Sequence, residues 1–270
     1  VTMHIAAAEP HVQNLCDLLS AMGAEISGAG SHDITIKGAG LRTAEHVVTT
    51  DYLEAGFFAL AGVLTGGDLK IHGVQYNQLL SFFKAMDRLN AAWDFDEEGV
   101  LHVRGGNPLK ATKIQTNIFP GFPSDLQTAF GIAMTQAHGV SRIHEFLYEG
   151  RFGYIYELEK MGAHVELLNA HEALIIGPTP LKGRTVASND IRAGAGMVLA
   201  ALCARGETLI TDVQYIERGY ENLEKKLRSL GASIERLEGD RVDSAHGEDS
   251  VQRRKDHLSR EQSGVIASLS

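Results

Sequence analysis

Apolar residues along this chain recur at two alternating periods, first every three to four positions and then every second position, as in a helix that buries one face followed by a half-buried strand. The stretch Leu158-Glu159-Lys160-Met161-Gly162-Ala163-His164-Val165 shows the junction: an amphipathic helix end, a glycine suited to a left-handed stop, and the first residues of a strand. It recurs as Leu19-Ser20-Ala21-Met22-Gly23-Ala24-Glu25-Ile26, as Leu227-Arg228-Ser229-Leu230-Gly231-Ala232-Ser233-Ile234 and, more loosely, as Met86-Asp87-Arg88-Leu89-Asn90-Ala91-Ala92-Trp93. The anchors Met22, Leu89, Met161 and Leu230 lie 67, 72 and 69 positions apart, a repeat of about 70 residues.

A second helix precedes each of the last three junctions. It opens at Thr50-Asp51-Tyr52-Leu53, Ser124-Asp125-Leu126-Gln127 and Asn189-Asp190-Ile191-Arg192, and it stops near Gly66-Gly67, Gly139 and Gly206. The strands Leu69-Lys70-Ile71, Ser141-Arg142-Ile143 and Thr208-Leu209-Ile210 follow. The predicted unit is helix, strand, helix, strand, and the first copy holds only its second half, with Val1 to Ile5 as the strand. Three such units make an α/β or α+β fold of pseudo-threefold design over residues 50–238. Residues 1–49 are expected to be the remnant of a preceding domain. Residues 239–270, rich in Asp, Glu, Arg, Ser and Gln, are expected to be a polar, disordered tail.

Charge narrows the partners. With 25 basic and 34 acidic residues the net charge is −9, which argues against a broad nucleic-acid or anionic-membrane surface, so an anionic ligand needs a local basic pocket. The two cysteines, Cys16 and Cys203, form no CxxC or metal-like cluster, sit in apolar helical stretches as structural thiols, and point to a reducing cytoplasm. No apolar run reaches the roughly 18 residues of a membrane span, and no signal peptide is recognisable. The twelve histidines show no paired metal-ligand spacing, so no metal is expected, and His164 and His171 read as strand and turn residues.

Chemistry concentrates where the repeat opens its helices. Asp51, Asp125 and Asp190 each stand where a short side chain can cap free backbone N–H groups; helix starts that converge also make an anion site. Asp125 differs in its approach, Asn117-Ile118-Phe119-Pro120-Gly121-Phe122-Pro123-Ser124, whose prolines and glycine restrict the backbone. Both a structural cap and a general base fit it. Arg151, Arg192 and Arg218 occupy turn or helix-start positions, where each can fork onto a phosphate or carboxylate or pair with an adjacent acid.

Four segments together resemble the UDP-N-acetylglucosamine 1-carboxyvinyltransferase family. Pro120-Gly121-Phe122-Pro123-Ser124-Asp125-Leu126-Gln127 is similar to its P-x-F-P-T-D-M-Q, and Glu149-Gly150-Arg151-Phe152 to its E-N-R-F. Ser188-Asn189-Asp190-Ile191-Arg192-Ala193 resembles A-T-D-L-R-A, and the run from Ile216 through Arg218-Gly219-Tyr220-Glu221 to Leu227 resembles I-D-R-G-Y-E-x-I-E-x-K-L. The likeness runs from about residue 1 to 238. The sister 5-enolpyruvylshikimate-3-phosphate synthases match these segments less well.

The resemblance implies two inside-out α/β barrels of three repeats each, closing over UDP-N-acetylglucosamine and phosphoenolpyruvate in a step of peptidoglycan synthesis, with no cofactor. It implies that the chain is N-terminally truncated and inactive alone, because the first domain, with its loop cysteine or aspartate, a lysine and an asparagine, is missing. Asp125 corresponds to the acid that contacts the sugar hydroxyl and acts as its base, and Leu147 to a backbone contact with the nucleotide sugar. Arg151, Asp190, Arg192 and Arg218 correspond to residues that orient phosphate and carboxylate groups. Gly150 stands where the family has Asn, and Thr50-Asp51-Tyr52 replaces Pro-Asp-Arg. A separately encoded first domain, a non-catalytic sugar-nucleotide-binding half-protein and a transferase of the sister type are the alternative readings.

Overall fold

The computed structural model describes residues 1–237 and 264–268. Its elements repeat one plan four times. The first copy is β1 (Thr2–His4), α1 (Pro10–Ala21), β2 (Glu25–Ser27) and β3 (Asp33–Lys37). After residues 38–51, which carry no helix or strand, come α2 (Tyr52–Thr65), β4 (Asp68–Ile71), α3 (Leu80–Leu89), β5 (Ala92–Phe95) and β6 (Leu101–Arg104). The third copy is β7 (Lys113–Gln115), α4 (Gln127–Thr135), β8 (Gly139–His144), α5 (Gly153–Lys160), β9 (His164–Asn169) and β10 (Glu172–Gly177). The fourth is β11 (Thr185–Ala187), α6 (Ile191–Cys203), β12 (Thr208–Thr211), α7 (Leu223–Ser229), β13 (Ser233–Leu237) and β14 (Gly264–Ser268).

Each copy forms its own sheet, in the orders β1-β3-β2, β4-β6-β5, β7-β8-β10-β9 and β11-β12-β14-β13. Among the described residues these are open sheets, and none closes into a barrel. The expected single strand after each second helix is an antiparallel pair, and β7 and β11 add a parallel edge to the last two sheets.

The expected tail needs correction. Residues 264–268 form β14, inserted between β12 and β13, with Val265 and Ala267 buried. The reason is structural necessity: without β14 the fourth sheet would lack the central strand that β3, β6 and β10 supply in the others. The rest of the expected tail lies outside the described residues.

The helices divide into two kinds. Those at the four repeat junctions have one apolar face and end on a left-handed residue, Gly23, Asn90, Gly162 and Gly231, with φ of 106°, 65°, 92° and 99°. The openers α2, α4 and α6 are apolar on every face, the signature of a helix with no solvent side. All nine residues of α4 are buried, and the three helices pack against one another at the centre with the last three sheets around them. Close approach depends on a glycine: a Cβ on Gly56 would come within 2.6 Å of Leu126 Cδ1, itself fully buried. Among the described residues no helix is long and apolar enough to cross a membrane.

Candidate active site

The central helices bring their starts to one end of the core, and the segments before them line a cavity of about 600 Å³. Asp51, Asp125, Arg151, Asp190, Arg192 and Arg218 all face it. The three aspartates no longer behave alike there. Asp51 caps α2, its carboxylate accepting from the Leu53 and Glu54 amides at 2.8 and 3.3 Å. Asp190 caps α6 in the same way, from Arg192 and Ala193 at 2.8 and 3.0 Å. Asp125 caps nothing: a short 3₁₀ turn, Ser124–Leu126, precedes α4 and turns its carboxylate out to the cavity. A pure capping role for Asp125 is thereby excluded.

Arginines take up that carboxylate. Arg151 Nη1 donates to Asp125 Oδ1 at 2.7 Å, and Arg192 Nη1 lies 3.6 Å from the same oxygen while its Nε donates to Asp190 at 3.1 Å. Arg151 does not pair with its neighbour Glu149; it reaches across the fold, with its guanidinium 4.1 Å from the centroid of the Tyr148 ring. Arg218 has no ion-pair partner among the described residues, because the adjacent Glu217 is taken by Arg236. Glu54 is held by Lys226 at 2.6 Å. Among the described residues the cavity thus keeps one unclaimed cation, Arg218, and one carboxylate shared between two guanidinium groups.

Asp125 titrates above the usual aspartate range. Desolvation by the surrounding protein is the largest cause, and Glu145 and Asp190 add like-charge repulsion, while Arg151 pulls the other way. With 49% of its side chain exposed, the carboxylate remains open to a ligand. A carboxylate with a raised pKa can accept a proton from a ligand, and the cations beside it favour an anion.

The loop before Asp125 is held from behind. Glu145, fully buried, accepts from Thr116 Oγ1 and Ser124 Oγ at 2.7 Å each and from the Leu147 amide at 3.0 Å. Its own backbone is fixed by His171, whose Nδ1–H donates to the Glu145 carbonyl at 2.8 Å and whose carbonyl accepts from the Glu145 amide. Leu147 lines a second cavity of about 230 Å³, with Glu9, His11 and Tyr148, on the other side of the Asp125–Arg151 pair. Since Glu145 takes its N–H, the Leu147 carbonyl is the backbone group left for a ligand.

Sequence reasoning missed Glu145, Tyr148 and the contribution of Glu9 and His11. Glu145 did carry a signal: Ser141, Ile143 and Glu145 share one buried parity, so an acid stood in an inward row. Of the two cysteines, Cys16 is buried in α1 and Cys203 is partly buried at the end of α6, with burial pushing its thiol up to about 12. Neither lines these cavities.

A family model described as EPSP synthase (3-phosphoshikimate 1-carboxyvinyltransferase) matches residues 1–227. The chain belongs to the EPSP synthase family. Relatives named UDP-N-acetylglucosamine 1-carboxyvinyltransferase include one from Chelativorans sp., 42% identical over 235 residues, and one from Brucella ovis at 41%. Each alignment takes in 87% of this chain and 54% of the relative, so the chain spans about half the length of the curated relatives it matches. Among solved structures, the enolpyruvyl transferase NikO from Streptomyces tendae superposes with a TM-score of 0.77 at 26% identity, over 86% of this chain and 55% of that one. EPSP synthase from Acinetobacter baumannii shares the fold, with a TM-score of 0.56 at 15% identity over 83% of this chain and 47% of that one.

Proposed function

We propose that this chain supplies one wall of the cleft of an enolpyruvyl transferase that moves the enolpyruvyl group of phosphoenolpyruvate to the 3-hydroxyl of UDP-N-acetylglucosamine. The observation that carries this reading is the meeting of Asp125 with Arg151, Arg192 and Arg218 on one cavity, in a chain 42% identical to an enzyme of that name. Asp125 takes the hydroxyl proton as the sugar oxygen bonds to C2 of phosphoenolpyruvate and C3 gains a proton. The resulting ketal loses phosphate by cleavage of its C2–O bond, and loss of a C3 proton restores the double bond. Arg192 and Arg218 hold the phosphate and carboxylate as charge shifts between them, and the Leu147 carbonyl receives the nucleotide sugar.

On this reading residues 1–49 belong to a first domain and residues 50–238 to a second, inside-out domain of three repeats, whose last sheet β14 joins. A segment corresponding to the unmatched part of the relatives completes the cleft, so the chain alone releases no phosphate.

A titration of the chain with UDP-N-acetylglucosamine, followed by NMR, tests the half-site without needing turnover. The expected result is saturable binding that weakens about tenfold in Asp125→Ala, the loss of one charge-assisted contact with the sugar hydroxyl. Equal affinity in the variant, or no binding at millimolar ligand, would overturn the assignment.

A further inference from the structure

A third, larger cavity of about 660 Å³ borders the loop that leads to Asp125. Its lining contains Lys84, Arg88, Lys113, Arg142 and His144 and, among the described residues, no acidic one, in a chain of net charge −9. This grouping follows from three periodicities. Ser81, Lys84 and Arg88 stand three and four residues apart on one face of α3. Lys113 and Gln115 share one face of β7, and Arg142 and His144 share one face of β8. Parallel pairing sets Lys113 beside Arg142 and Gln115 beside His144.

The positive charge there is largely uncompensated. Arg142 pairs with Glu172 of β10, and Arg88 donates to the Lys113 carbonyl at 3.2 Å. Lys84 and Lys113 have no carboxylate partner among the described residues, and both are exposed to the cavity. Four cations crowded with Glu172 as the one paired counter-charge among the described residues repel one another, an arrangement that a bound anion relieves. Gln115 and Asn117 add polar groups to the lining beside Ile114 and the largely buried Phe122.

We propose that this cavity is a second anion site, which takes a small molecule carrying a phosphate or diphosphate group, with Lys84 and Lys113 as its principal contacts. It is separate from the cavity around Asp125. The two share no lining residue, and the 117–123 loop that borders this one is tied to α3 by Ser81 Oγ donating to the Pro120 carbonyl at 2.6 Å.

Inorganic pyrophosphate, titrated calorimetrically into the chain at low salt, tests the site. Lys84→Gln with Lys113→Gln removes both charges while keeping the side-chain stems, and a thermal melt of this variant confirms that it is folded. Arg192→Ala with Arg218→Ala serves as the comparison at the other cavity. The expected result is pyrophosphate binding that weakens at least tenfold in the lysine variant and persists in the arginine variant, since only the former removes its charged contacts. Replacing pyrophosphate with inorganic phosphate distinguishes a diphosphate from a monophosphate site, the tighter of the two naming the group. Unchanged binding in the lysine variant, binding lost only in the arginine variant, or no binding to the unchanged chain would each overturn the proposal.

Discussion

Replacing Glu145 by Ala should be the most damaging single change near the site, although the side chain never faces the cavity. The carboxylate is 0% exposed and accepts three hydrogen bonds, from Thr116, Ser124 and the Leu147 amide. Thr116 is also 0% exposed and Ser124 7%, so neither hydroxyl can turn to water instead. A hydrogen bond to a charged acceptor contributes about 1.5 kcal/mol or more, and three lost together with a small cavity sum to about 5 kcal/mol. For a chain of this size that corresponds to a melting temperature lower by about 10 °C. Glu145→Gln keeps the shape, and the Ser124 hydroxyl can rotate to accept from the new amide, so its cost should be about 1 kcal/mol. Urea denaturation of the three proteins, analysed at equal slope, reads these differences directly. If the Ala variant falls within about 1 kcal/mol of the unchanged chain, or if Gln costs as much as Ala, Glu145 does not hold the loop in the way its contacts indicate.

Other expectations follow from the same contacts. Arg151→Ala removes the cation that holds the Asp125 pKa down, so the pKa rises further and the acidic limb of UDP-N-acetylglucosamine binding against pH should move to higher pH; a limb that stays put or moves lower contradicts the pairing. Because the folded pKa of Asp125 lies above its unfolded value, its ionisation costs stability above the unfolded pKa. Asp125→Asn should therefore melt higher than the unchanged chain at pH 7, with the gap closing as pH falls to about 4. Gly56→Ala places a methyl within 2.6 Å of Leu126 Cδ1 in a packed core and should destabilise by about 1–2 kcal/mol in a denaturant melt, despite alanine's better helix propensity.

The repeat was legible because it rests on local signals. A left-handed residue must end each junction helix, so Gly23, Asn90, Gly162 and Gly231 mark the period before any contact is known. Helices apolar on every face were visible in the same way, and they sit where such composition requires, at the centre. Short strands were less so: β7 and β11 are three residues each, below the length at which alternation can be recognised. β14 was hidden because five residues with an apolar centre follow a long polar stretch, and only pairing with β12 and β13 makes them a strand.

The site divides along similar lines. Asp51 and Asp190 act as their local context predicts, since capping involves only neighbouring amides. Asp125 shares that context, yet its 3₁₀ turn and the distant Arg151 decide its role, and both depend on tertiary packing. Arg151 and Arg218 likewise escape their adjacent acids because Asp125 and Arg236 lie closer to hand in three dimensions.

The most direct test of the central claim is phosphate release from phosphoenolpyruvate, dependent on UDP-N-acetylglucosamine, by the gene's full reading frame with and without Asp125→Asn. The account predicts release that needs both substrates and falls by about a hundredfold or more in the variant, the usual contribution of a positioned general base. Release that survives Asp125→Asn within about threefold in a folded protein, well short of that contribution, would contradict it.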